Sequence, residues 1–257
     1  MISWKNQSKR RVRTWVVMTM SNLLDRLTDD DLKKNTERFV VKIKSPGIGS
    51  LTEFKNGTFS FNSLIPIPQE LLMTCGPIVE LALYAYFVEN EKYKAEGDPN
   101  LLAKHKPAKV NDIPKVDRAG LNIPKGSLAE YLTENELVFF DNLLVKDFRD
   151  LDQRYEKHLA KYNGNATRLT NLGERYFGNC IKHDCIAHHS WCQRYWGTPL
   201  NALNVLVSKN EVSFSTVNGM PNKVLTALSV RYPDRTFDCE LLSRNGEVKY
   251  TLEDGKM

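Results

Sequence analysis

Beyond residue 202 the hydrophobic positions alternate with polar ones, and the period names the elements. Leu203, Val205 and Val207 form a first apolar row, and Lys209-Asn210 reads as a turn. Val212, Phe214 and Thr216 then alternate with Glu211, Ser213 and Ser215. Pro221 opens a helix with Val224, Leu225 and Leu228 on one face. Phe237, Cys239 and Leu241 alternate with Asp238 and Glu240, and Val248, Tyr250 and Leu252 with Lys249 and Thr251. Asn245-Gly246 between them is a hairpin signal. Strands with one apolar side predict a sheet covered by helices on one face and wet on the other.

Upstream the period changes. Trp15 to Met20 is β-branched and aromatic and predicts a strand. Thr28 and the acids Asp29, Asp30 and Asp31 suit a helix start, with the helix running to about Val41. Ser45 to Gly49 reads as a loop. Phe59 and Phe61 alternate with Ser60 and Asn62, predicting a strand from Thr58 to Ile65 that Pro66 and Pro68 end. Pro77 predicts a helix start, and that helix reaches about Ala95.

Residues 97–126 carry four prolines and read as a long loop. Capping boxes follow at Ser127 with Glu130 and at Thr133 with Glu136. The second opens a helix to about Tyr162, with Leu144, Phe148, Leu151, Tyr155, Leu159 and Tyr162 as one apolar stripe. Asn163-Gly164-Asn165 stops it. A further helical stretch, broken near Gly178, runs to Tyr195. The expected layout is an arm (1–14), an N-terminal core part (15–68), a helical insertion (69–171) and a C-terminal αββαββ part (172–257).

Several segments carry a family resemblance. Trp191-Cys192 and Trp196-Gly197-Thr198, followed by Asn201-Ala202, resemble the Trp-Gly-Thr signature of the YubB-like, ferredoxin-fold proteins of phages and plasmids. Phe59 to Pro68, Phe214-Ser215-Thr216 and Leu228-Ser229 with Tyr232-Pro233 are similar to that family too. Pro199-Leu200 stands where the family has Lys-Trp, and Asn218 to Pro221 where it has a Trp and two prolines. The resemblance implies an α+β fold, a ferredoxin-like antiparallel sheet with helices on one face, here with an inserted central helical block. It also implies a mobile-element origin, and it carries no catalytic residue across.

Charge changes the picture by its location. The net charge is +5, yet Lys5, Lys9, Arg10, Arg11 and Arg13 supply an excess of that size within the first 13 residues, leaving 31 bases against 31 acids. Contact with nucleic-acid phosphates is therefore an expectation about the arm. The open sheet face is expected to lack the aromatics on which RNA-binding sheets stack bases. No stretch approaches the roughly 18 apolar residues of a membrane helix. A basic run before Trp15 to Met18 imitates a leader peptide, but its apolar core is short. An odd count of five cysteines fits a reducing cytoplasm, here that of a bacterial host cell.

The densest soft side chains are Cys180, His183, Cys185, His188, His189 and Cys192. Zinc uses such ligands, and Cys180, Cys185, His188 and Cys192 are the alternative to a metal-free chain, although their spacing matches no knuckle or ribbon. Neighbouring Cys and His residues here lack a visible orienting group and oxyanion site, so no catalytic residue and no cofactor is expected. There is no Walker loop, no GxGxxG and no HExxH. The stripe residues Leu144, Phe148, Leu151 and Tyr155 serve either as intrachain core or as a surface for a partner or a second copy. The leading expectation is a non-enzymatic accessory protein that binds a host or defence-system macromolecule. The runner-up is nucleic-acid binding through the arm, and a zinc- or Cys/His-dependent enzyme comes third.

Overall fold

The computed structural model describes residues 22–34, 37–95, 145 and 148–256. In chain order its elements are α1 (Asp29–Lys34), β1 (Arg38–Lys44), α2 (Ile78–Ala95), α3 (Phe148–Lys161), α4 (Thr167–His183), α5 (His188–Tyr195), β2 (Leu203–Val207), β3 (Glu211–Val217), α6 (Asn222–Arg231), β4 (Phe237–Ser243) and β5 (Gly246–Leu252). They fall into two compact units. Unit 1 holds Met1–Arg26 and Gly76–Ile186, and unit 2 holds Leu27–Cys75 and Ala187–Met257. The expected blocks divided instead at 68/69 and 171/172. The expected strand at Trp15 to Met20, the proline-rich loop and both capping boxes lie outside the described residues.

Unit 1 is helical. Val79 to Val88 of α2 are buried on every side, Glu80 included, which explains an apolar run with no amphipathic period. α4 packs on α2 so closely at Gly173 that a β-carbon there would collide with the Ala82 carbonyl. α3 turns its stripe inward. Phe148, Leu151 and Tyr155 are all buried, and the rings of Phe148 and Tyr155 each lie 6.2 Å from Tyr84. These three residues are therefore intrachain core, not a surface for a partner, while Leu144 lies outside the described residues. Polar anchors fix the same packing. Tyr155 donates to Glu89 at 2.5 Å, and Tyr84 donates to Asp152. Burial pushes the Tyr84 hydroxyl far up, and the Asp152 carboxylate adds to it.

Asn163 and Gly164 end this helix region in left-handed backbone, φ 52° and 79°. The expected break at Gly178 lies inside α4. The chain turns instead at Asp184, φ 56°, which a short polar side chain tolerates. Among the described residues no helix is long and apolar enough to cross a membrane.

Unit 2 is a mixed α/β unit around one five-stranded antiparallel sheet, in the order β2-β3-β1-β4-β5. Thr28 and Asp31 cap α1 reciprocally: the Thr28 amide donates to the carboxylate at 3.0 Å and the Asp31 amide to the hydroxyl at 3.2 Å. The helix expected to reach Val41 ends at Lys34. From Arg38 the burial alternates every second residue, with Phe39, Val41 and Ile43 inside, and a β-branched run with that period forms the central strand β1.

The inner face of the sheet continues through Val212, Phe214, Phe237, Cys239 and Leu241. The strand expected from Thr58 to Ile65 does not form. The segment forms only a 3-10 turn at Phe61–Ser63. Its alternating phenylalanines are buried, but in a ring cluster: Phe59 and Phe61 lie 5.3 and 5.5 Å from Phe214. Val248, expected on the covered face, is 50% exposed because β5 is the edge strand.

Candidate functional site

Three places in unit 2 combine polar chemistry with defined geometry. The first is the Trp-Gly-Thr segment. Trp191, Cys192, Trp196 and Thr198 are buried. The Trp196 indole donates to the Ile65 carbonyl at 2.9 Å, and the Thr198 hydroxyl to the Val217 carbonyl at 2.7 Å. Gly197 has φ 91°, and a β-carbon on it would collide with the Met220 carbonyl. Asn201 accepts from the Phe61 amide at 2.8 Å and donates to the Ser60 hydroxyl at 3.0 Å. The 59–68 and 191–202 motifs thus hold each other, and the Trp196, Thr198 and Asn201 side chains serve as structural links.

The second place is the outer sheet face. β1 brings Arg38, Val40, Lys42 and Lys44 to it, which the expected helix through Val41 concealed. Lys42 pairs in register with Ser213 and Glu240, and Glu240 with Lys249. Glu240 accepts from Lys249 at 2.9 Å and lies 3.5 Å from Lys42, while Lys44 lies 3.9 Å from Glu211. The Lys249 hydrogen bond leads the effects that hold Glu240 down to about 2. Along the strands Arg38, Lys42, Lys44 and Lys249 oppose Glu211, Asp238, Glu240 and Glu247, so the face is neutral and carries no aromatic ring. Leu206, 71% exposed, and Val40, 39% exposed, are its large exposed apolar residues.

The third place gathers Cys75, His188 and His189. One ligand atom from each lies within 4.8 Å of the others. Cys75 follows the 3-10 turn Gln69–Leu71, and the two histidines form the first turn of α5. Cys75 and His188 are half-buried and His189 is buried. His188 Nδ1 stands 3.7 Å from Cys75 Sγ and 3.1 Å from the Met73 carbonyl oxygen. His189 Nε2 stands 2.7 Å from Asp29 Oδ1, at the start of α1.

No family model, curated protein or solved structure matches the chain.

The ligand set expected from sequence, Cys180, Cys185, His188 and Cys192, is not the one the fold gathers. Cys180 and Cys185 belong to unit 1 and are buried there, and among the described residues only His188 of the four joins the cluster. Burial pushes the Cys180 thiol well above its ordinary value, and the Cys239 thiol up to about 12. Cys192 is buried beside Trp191. None of the five cysteines forms a disulfide. The arm residues Lys5, Lys9, Arg10, Arg11 and Arg13 lie outside the described residues. Sequence reasoning missed Cys75 and Asp29. Cys75 lies 113 positions from His188 and Asp29 lies 160 from His189, so no local spacing links them. The adjacent histidines were the one visible signal.

Proposed function

We propose that this protein is a non-enzymatic accessory protein of a phage or other mobile element, acting in the cytoplasm of a bacterial host by binding a host or defence-system protein. Inhibition of a host defence is the natural outcome of such binding. The observation that carries this reading is the outer face of the sheet. Its four bases are matched by four acids, and Val40 and Leu206 stand exposed among them. A neutral, mixed-charge face with apolar points suits a protein surface, where electrostatic complementarity selects the partner. It supplies neither the positive field nor the stacking rings that a nucleic acid needs.

The YubB-like, ferredoxin-like assignment belongs to the same proposal. In its support, β1 lies between β3 and β4, with β2 beyond β3, and α6 connects β3 to β4. β5, a fifth strand outside β4, departs from a four-stranded ferredoxin-like sheet. The motif residues Trp191, Trp196, Gly197 and Thr198 enter as framework, consistent with a family resemblance that carries no catalysis.

The test is affinity capture from host extract with the intact chain and with Leu206→Glu and Val40→Glu variants. The expected result is one partner captured by the native chain and lost by both variants. Capture that ignores both substitutions removes the outer face from consideration. Salt-sensitive retention of DNA or RNA that disappears when residues 1–13 are deleted would favour the arm as the binding element instead.

A further inference from the structure

We propose that Cys75, His188 and His189 bind a divalent ion of the zinc class, with Asp29 orienting His189. This goes beyond partner binding and does not depend on it. One thiolate and two imidazoles are the donor set of a borderline-soft transition ion, whereas calcium and magnesium take oxygen.

The geometry agrees with the chemistry. Zinc–sulfur and zinc–nitrogen bonds of about 2.3 and 2.0–2.1 Å at tetrahedral angles put the two ligand atoms about 3.6 Å apart. Cys75 Sγ and His188 Nδ1 are 3.7 Å apart. The two imidazoles are steeply inclined, at 68° with centroids 4.4 Å apart, so neighbours in sequence can point at one centre. The Asp29 carboxylate accepts from His189 Nε2 at 2.7 Å. With Nε2 engaged by the carboxylate, an ion would be met at Nδ1, the carboxylate–histidine–metal arrangement of many zinc sites. Burial of His189 keeps its ring in place.

His188 has a choice that makes the site responsive. Without an ion its Nδ1–H donates to the Met73 carbonyl, 3.1 Å away. With an ion, Nδ1 turns its lone pair to the metal and the proton passes through solvent to Nε2. Cys75 binds as the thiolate and releases its proton to solvent, so affinity rises with pH. The ion then ties the 73–75 segment to the first turn of α5, and through His189 to Asp29.

The experiment uses the full chain, freed of metal by chelation and titrated with cobalt and then zinc. Expected are one bound ion per chain, an intense sulfur-to-cobalt charge-transfer band, and displacement of cobalt by zinc. Cys75→Ser removes the band, whereas Cys180→Ser and Cys239→Ser keep it. Asp29→Asn keeps the band and weakens zinc binding about 10–100-fold, the loss seen when such outer partners are removed. Asp29→Glu restores part of it. Zinc also slows alkylation of Cys75 in the native chain, read by mass spectrometry with and without chelator. This measurement needs no variant and stands even where a substitution impairs folding. A band that survives Cys75→Ser, or equal alkylation of Cys75 with and without zinc, overturns the site.

Discussion

The end of α4 and the segment around Cys75 carry the same thiol chemistry to opposite ends. In unit 1, Cys180 sits at the end of α4 and Cys185 just past the turn at Asp184, both buried, and burial drives the Cys180 thiol away from ionisation. In unit 2, Cys75 is half-buried with an imidazole nitrogen 3.7 Å from its sulfur. Cysteine and histidine density along the chain points to residues 180–192, whereas density in space points to Cys75 with His188 and His189. Burial and the nearest nitrogen decide what a thiol can do, and neither is a local property of sequence.

The largest effect expected comes from the buried core of unit 1. Phe148→Ala removes a fully buried ring against Tyr84 and costs about 3–5 kcal/mol. A denaturation midpoint checks it, and a loss under about 1 kcal/mol would mean that the stripe is not the tight core drawn above. Next in size is zinc. A ligand that binds only the folded chain at a hundredfold excess over its Kd adds about 2.7 kcal/mol. The gain, read as a rise in melting temperature, should vanish in Cys75→Ser and persist in Cys180→Ser. Equal gains in both would erase the distinction between the two thiols.

A third effect tests unit 2 away from its thiol. Glu53 accepts from Arg231 and from the Tyr232 hydroxyl, each at 2.6 Å. Burial raises its pKa, but the two hydrogen bonds win and hold the carboxyl below its ordinary 4.5. A depressed carboxylate stabilises fully above 4.5 and loses that contribution as pH falls through its folded value. Glu53→Gln should cost about 1.5–3 kcal/mol at neutral pH, the range for charge-assisted bonds. It should also flatten the acid limb of the stability curve. An unchanged acid limb would show that Glu53 ionisation is not what the curve reports.

Much of unit 2 was legible because β3, β4 and β5 each have a period of two and turn signals separate the strands; in β2 an irregularity between Leu203 and Leu206 breaks the expected row, so that Leu203 pairs with Ser215 and Val207 with Val212. The Asn163-Gly164 stop and the helix from Pro77 were legible for similar local reasons. β1 was hidden because the acids after Thr28 give a helix start and nothing polar interrupts Phe39 to Val41. The 59–61 alternation misled because rings can bury themselves in a cluster without joining a ladder, so burial with period two does not require strand pairing. The Gly178 break failed because packing overrides the weak helix propensity of one glycine. The site itself was half legible: the adjacent histidines stand out, but Cys75 and Asp29 reach them only through the fold.

The smallest stability effect belongs to the outer sheet face, and it separates holding the fold from meeting a partner. Glu240 is held down to about 2 by its lysine neighbours, yet such exposed pairs contribute little to stability because water and salt screen them. Glu240→Lys replaces an attraction to Lys42 and Lys249 by repulsion, and its cost to stability should be small and shrink as salt is added. The same substitution changes the charge balance of the face by two. A partner selected by complementary charge should therefore bind Glu240→Lys far more weakly, mainly through a slower association rate. Compensating Lys42→Glu in the same chain restores the balance and should recover the rate. Partner binding that follows neither change would leave the neutral face as no more than a solvated surface, whereas loss and recovery at constant stability would make it the docking surface.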